Sequence, residues 1–137
     1  MLFRSNPGDP PYVVVSYVEE MQYAYAAADF AICRSGAMTC AELAAVGLPA
    51  VYVPLPLRGG EQRLNAIPAV AAGGALLVDN ADLDPAWIET TLIPVLTNPA
   101  RMAAMSARAS TVGAPDAGAV LARHVLDMVA ERRKLAS

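Results

Sequence analysis

Apolar residues in this chain fall into short unbroken runs, separated by stretches whose apolar positions recur at helical spacing. Residues 1–11 (MLFRSNPGDPP) are rich in Pro, Gly and Asp and read as an irregular leader. Residues 12–16 form a β-branched apolar run of strand length, and residues 19–28 have helical composition with acids in the first turn. A second run, residues 30–33, ends at Arg34, Ser35 and Gly36. Beyond it Met38, Ala41 and Ala45 share one face of a helix, and Gly47 stands where a C-terminal cap belongs. Residues 50–53 make a third run, followed by a Pro/Gly loop and a helix from about Glu61. Pro68 lacks an amide hydrogen, which predicts a kink or an end to that helix. Residues 75–78 form the fourth run. From Asp84 the pattern is purely helical, with Pro85 and Pro99 suited to first helical positions and Asp116 suited to start the last helix.

Strands that are apolar throughout, alternating with helices, predict βαβ units. The fold class is α/β: a Rossmann-like parallel sheet with flanking helices, occupying residues 12–137. With 137 residues, 55% hydrophobic and 17% charged, the chain buries too much apolar surface for a disordered protein and suffices for one domain, not two. Ten basic against thirteen acidic residues leave a net charge of −3, without the basic excess that nucleic acid requires. Cys33, Cys40 and the single His124 supply neither a disulfide scaffold nor a zinc site, which fits a reducing, cytoplasmic setting. They also give no support to a Ser-His-Asp or Cys-His catalytic set. Residues 43–57 are the most apolar stretch but are shorter than a membrane span and broken by Gly47, Pro49, Pro54 and Pro56. The first residues lack the long apolar region of a secretory signal, so membrane association is expected to be peripheral. Met21, Met38, Met102, Met105 and Met128 read as core, and Arg132-Arg133-Lys134 as a solvated helix end.

Ligands of parallel α/β sheets bind beyond the carboxyl ends of the strands. After the second run, Arg34-Ser35-Gly36-Ala37-Met38-Thr39 turns from strand to helix, leaving backbone amides at the positive end of the helix dipole, a place that suits a phosphate. An ordinary strand-to-helix turn would read the same way. Glu42, one turn further, is placed either to accept the hydroxyls of a ribose or to close a T-x-x-E capping box with Thr39. After the third run, Glu61, Gln62 and Asn65 share one helical turn, where amides and carboxylates suit sugar hydroxyls, or simply a solvated helix start.

Three segments, Tyr17-Val18-Glu19-Glu20-Met21, Ala28 to Thr39 with Glu42, and Glu61-Gln62-Arg63-Leu64-Asn65-Ala66, closely resemble the carboxyl-terminal domain of the MurG glycosyltransferases, glycosyltransferase family 28. The resemblance runs in order from about Tyr12 to the last helix. It implies the donor-binding part of a GT-B, inverting transferase that moves GlcNAc from UDP-GlcNAc to a lipid-linked muramyl-pentapeptide acceptor, making lipid II at the inner face of the cell membrane. By the same resemblance, Val18 would read uracil through its backbone. Ser35, Gly36, Ala37, Met38 and Thr39 would line the pyrophosphate and sugar, Glu42 would bind the ribose, and Gln62 with Asn65 would hold the GlcNAc. UDP-GlcNAc is then a substrate, with neither cofactor nor metal implied. Two positions depart from the family pattern: Leu57 stands where histidine is frequent, and Glu61 replaces the first of a Gln-Gln pair, accepting hydrogen bonds but donating none when ionised. The family's Gly-Gly-Ser phosphate loop, opening strands, acceptor domain and general base would precede Tyr12, so this stretch holds no catalytic residue and reads as a fragment. The alternative expectation is a UDP-sugar-binding subunit of a split transferase, and an open sheet edge adds the expectation of self-association.

Overall fold

Three short strands, β1 (Ala31–Cys33), β2 (Ala50–Tyr52) and β3 (Ala75–Leu77), pair in parallel in the order β1-β2-β3. The computed structural model describes residues 12–56 and 59–135. Ala31, Ala50 and Ala75 are in register, as are Cys33, Tyr52 and Leu77. Helices α1 (Met21–Ala27), α2 (Ala37–Val46) and α3 (Glu61–Ala71) precede or join the strands. After β3 come α4 (Pro85–Trp87), a wide π-turn (Ile88–Leu92), α5 (Ile93–Leu96), α6 (Pro99–Ser110) and α7 (Ala117–Leu135).

Because successive strand side chains point to opposite faces, β2 builds two cores. Ala50 and Tyr52 pack with Cys40, Leu43 and Leu48 from α2 and its exit, and with Ala66 and Ala69 of α3. Val51 and Val53 pack on the other face with Val78 and Leu92, flanked by Phe30 and Trp87. The central strand is therefore apolar at every position, as a sheet covered on both sides requires. Helix starts follow local chemistry: Asp84 and Asn98 each accept from the amide three residues on, at 2.7 and 3.0 Å, with Pro85 and Pro99 just inside. Gly47 ends α2 in the left-handed region (φ 67°), its amide bonded back into the last turn, and its carbonyl accepts from Ser106 Oγ at 2.8 Å, which ties α2 to α6.

Three sequence expectations are corrected. Residues 12–16 carry no strand. A β-branched run needs a partner ladder and a half-buried surface, and Val13, Val14 and Val15 are 61–78% exposed. Pro68 neither ends α3 nor interrupts it; the helix continues to Ala71, with Ala72 N–H returning to the Pro68 carbonyl at 3.0 Å. Met38, Ala41 and Ala45 do share one face of α2, and it is the exposed one; Cys40, Leu43 and Ala44 are buried. Of the five methionines read as core, Met105 alone is fully buried; Met102 is half-buried, and Met21, Met38 and Met128 are exposed because their helix faces meet no packed neighbour. The leader, Leu57 and Arg58 lie outside the described residues, as do the side chains of Arg133 and Lys134.

Candidate functional site

The strands all point one way, so the segments after Cys33, Tyr52 and Leu77 share one rim of the sheet. The start of α2 dominates this rim. Gly36 is its N-cap, with extended backbone (φ −63°, ψ 149°), and the first helical bond runs from Cys40 N–H to the Gly36 carbonyl at 2.9 Å. Glycine has no side chain with which to cap, so the amides of Ala37, Met38 and Thr39 stay open at the positive end of a ten-residue helix. A Cβ on Gly36 would meet only Thr39 Oγ1, at 3.8 Å. The fold itself therefore tolerates a side chain there, and what glycine supplies is unobstructed backbone facing the rim.

Side chains from three segments brace this start. Asn65 Nδ2 donates to the Ser35 carbonyl at 3.1 Å, joining α3 to the turn before α2. The Arg34 guanidinium donates to the carbonyls of Val53 and Pro54 at 3.0 and 3.5 Å, pinning the loop after β2 to the end of β1. Gln62 Oε1 accepts from Leu55 N–H at 3.0 Å and closes that loop onto α3. These bonds also set the polarity of the two amides: Gln62 keeps its NH₂ group to donate, and Asn65 keeps its Oδ1 to accept. Arg63 pairs with Asp79 at the end of β3, 2.5 Å apart and half-exposed. Ser35 is fully buried and its Oγ has no hydrogen-bond partner among the described residues, a deficit that costs about 1–3 kcal/mol in an interior. Between α2 and α3 lies a cavity of about 360 Å³ lined by Ala37, Cys40, Ala41, Leu64 and Asn65, among others.

Glu42 is half-buried in the middle of α2, and its Oε2 accepts from Tyr25 Oη at 2.8 Å. This replaces the capping-box reading. Gly36, not Thr39, is the cap, so the Glu42 amide lies inside the helix rather than open to Thr39 Oγ1, and the Glu42 carboxylate is turned to Tyr25. Glu61 is exposed, with its Oε1 lying against Gly59; Gly59 and Gly60 both have positive φ (98° and 66°), which admits the turn into α3 at no steric cost. Val18 is half-buried in the segment before α1, and its backbone makes no hydrogen bond to another described residue. The structure thus joins Ser35 and the start of α2 to Gln62 and Asn65, and joins Glu42 to α1, but links Val18 to none of them by a described hydrogen bond.

Burial pushes the Cys33 thiol up to about 11 and raises Cys40 as well, so both stay protonated near neutral pH and pack as apolar groups. A larger cavity of about 740 Å³, lined by Gln22, Asp29, Leu48 and Pro49 among others, lies at the opposite, amino ends of β1 and β2, away from the uncapped helix start. Sequence reasoning named Arg34 and Arg63 without a partner for either, and missed Tyr25 and Asp79. Contacts made across 16 to 19 residues leave no periodic signal in a chain.

Residues 2–121 match the family described as glycosyltransferase family 28 C-terminal domain. The chain is 57% identical over 133 residues to a UDP-N-acetylglucosamine--N-acetylmuramyl-(pentapeptide) pyrophosphoryl-undecaprenol N-acetylglucosamine transferase of Mycolicibacterium smegmatis, covering 97% of the chain and 34% of that relative. It is also 57% identical over 130 residues to a transferase of the same name from Streptomyces collinus, covering 95% and 36%. The crystal structure of MurG from Acinetobacter baumannii superposes with a TM-score of 0.73 at 32% identity, over 87% of this chain and 35% of that one. The chain spans about a third of the length of the curated relatives it matches.

Proposed function

The chain belongs to the family of glycosyltransferase family 28 C-terminal domains, and from that premise we propose that it forms the donor-binding part of a transferase that moves GlcNAc from UDP-GlcNAc to a lipid-linked muramyl-pentapeptide acceptor. The observation that carries this reading is the uncapped start of α2, braced across the rim by Asn65 on Ser35 and by Arg34 on the carbonyls of Val53 and Pro54. A diphosphate at that point meets the amides of Ala37, Met38 and Thr39 at the positive end of the helix. As the bond between sugar and diphosphate breaks, negative charge grows on the departing UDP, and donors already fixed by the fold stabilise it without reorganising. Glu42 accepts the ribose hydroxyls, while Gln62 donates and Asn65 accepts at the GlcNAc. The backbone of Val18 serves the uracil.

On this reading the acceptor site and the proton-abstracting base lie outside these residues, and the transferase acts on a lipid-linked substrate. That sets its work at the inner face of the membrane as a peripheral protein; no helix among the described residues is long and apolar enough to cross a bilayer. The test is isothermal titration of UDP into the chain. Glu42→Ala is expected to weaken binding by about 1.5–3 kcal/mol, the scale of hydrogen bonds to a charged group. Unchanged affinity would remove Glu42 from the nucleotide site.

A further inference from the structure

We propose that Tyr25 is a positioning residue of the donor site: its hydroxyl donates to Glu42 Oε2 at 2.8 Å and holds the carboxylate so that Oε1 is left to take the ribose hydroxyls. The inference rests on the nucleotide reading of Glu42 given above. Glutamate has three rotatable side-chain bonds, and Glu42 leaves the middle of α2 with no other hydrogen-bond partner among the described residues. Unheld, it would sample several rotamers, and binding would have to select one. Tyr25 supplies the missing constraint from outside the helix. It lies on α1, 17 residues away in sequence, and its half-buried ring packs against the core cluster formed by Cys40, Leu43 and Tyr52. An anchored ring with two side-chain torsions presents its hydroxyl at a fixed point. Burial and the Glu42 carboxylate together push the phenol up to about 12, so it remains a donor throughout the neutral range.

A positioning role predicts an effect that a purely structural role does not. The carboxylate is expected to read the ribose hydroxyls, so the measured quantity is the preference of the 137-residue chain for UDP over 2′-deoxy-UDP, by isothermal titration. In Tyr25→Phe, UDP should bind about five-fold more weakly while 2′-deoxy-UDP is nearly unchanged, which shrinks the preference. Glu42→Ala should abolish the preference, and adding Tyr25→Phe to it should change nothing further. Equal weakening of both nucleotides in Tyr25→Phe, an undiminished preference, or loss of the folded state by far-UV circular dichroism would assign the hydroxyl to the fold and overturn the proposal. If Glu42→Ala keeps the preference, or the unaltered chain binds neither nucleotide, the reading of Glu42 itself fails and the role of Tyr25 falls with it.

Discussion

At the scale of single residues, the rim is built from side chains that each serve two masters. Gln62 and Asn65 present one polar group to the open rim only because the other is held by the backbone, at Leu55 and Ser35 respectively. On the proposed reading of Gln62 as a sugar contact, Gln62→Ala is expected to weaken UDP-GlcNAc binding by about 1 kcal/mol while leaving UDP almost untouched. Gln62→Glu sharpens the test. A glutamate still accepts from Leu55 N–H but has nothing to donate, so sugar affinity should fall while the melting temperature holds. Equal losses for UDP and UDP-GlcNAc in Gln62→Ala would move this residue to the nucleotide or to the fold. Glu42 shows how far residue types alone reach: T-x-x-E is equally a capping box and a ribose site in sequence, and the capping box was removed by Gly36, three residues upstream of Thr39, being the cap.

At the scale of elements, local chemistry decided where helices start and stop. The glycine after α2, the prolines inside α4 and α6, and the Asp and Asn caps before them all stand where their backbone preferences put them. Gly47→Ala tests this directly. A side chain in the left-handed region costs roughly 1–2 kcal/mol, and a Cβ there would also displace Ser110 Oγ, so the melting temperature should fall by about 5 °C or more. An unchanged transition would show that α2 and α6 adjust freely at this joint. Residues 12–16 mark the opposite case: their composition specifies a strand, yet pairing is a property of two segments, and the ladders among the described residues join β1, β2 and β3.

At the scale of the whole molecule, the chain spans about a third of the length of the curated relatives it matches, and the proposed reading places only donor binding on it. Purified alone, it should therefore give no GlcNAc transfer to a lipid-linked muramyl acceptor; turnover by the pure chain would show that an acceptor site and base lie within it. Addition of a separate acceptor-binding polypeptide that restores transfer would favour the split-subunit organisation. Every residue of α7 from Ala117 to Arg132 is exposed, including Leu121, Leu126 and Met128. Ending the chain at Pro115 should thus shift its stability by no more than about 0.5 kcal/mol, as for surface changes generally, and a larger loss of melting temperature would reveal a docked helix. The α/β class, the three paired strands, most helix ends and the residues of the rim were legible in the sequence, because apolar periodicity and backbone preferences act over a few neighbours. Which residues touch was not. The bond from Tyr25 to Glu42, the Arg34 brace and the polarity of Gln62 and Asn65 join positions 7 to 30 residues apart, and only packing about a shared core brings such groups within hydrogen-bonding reach.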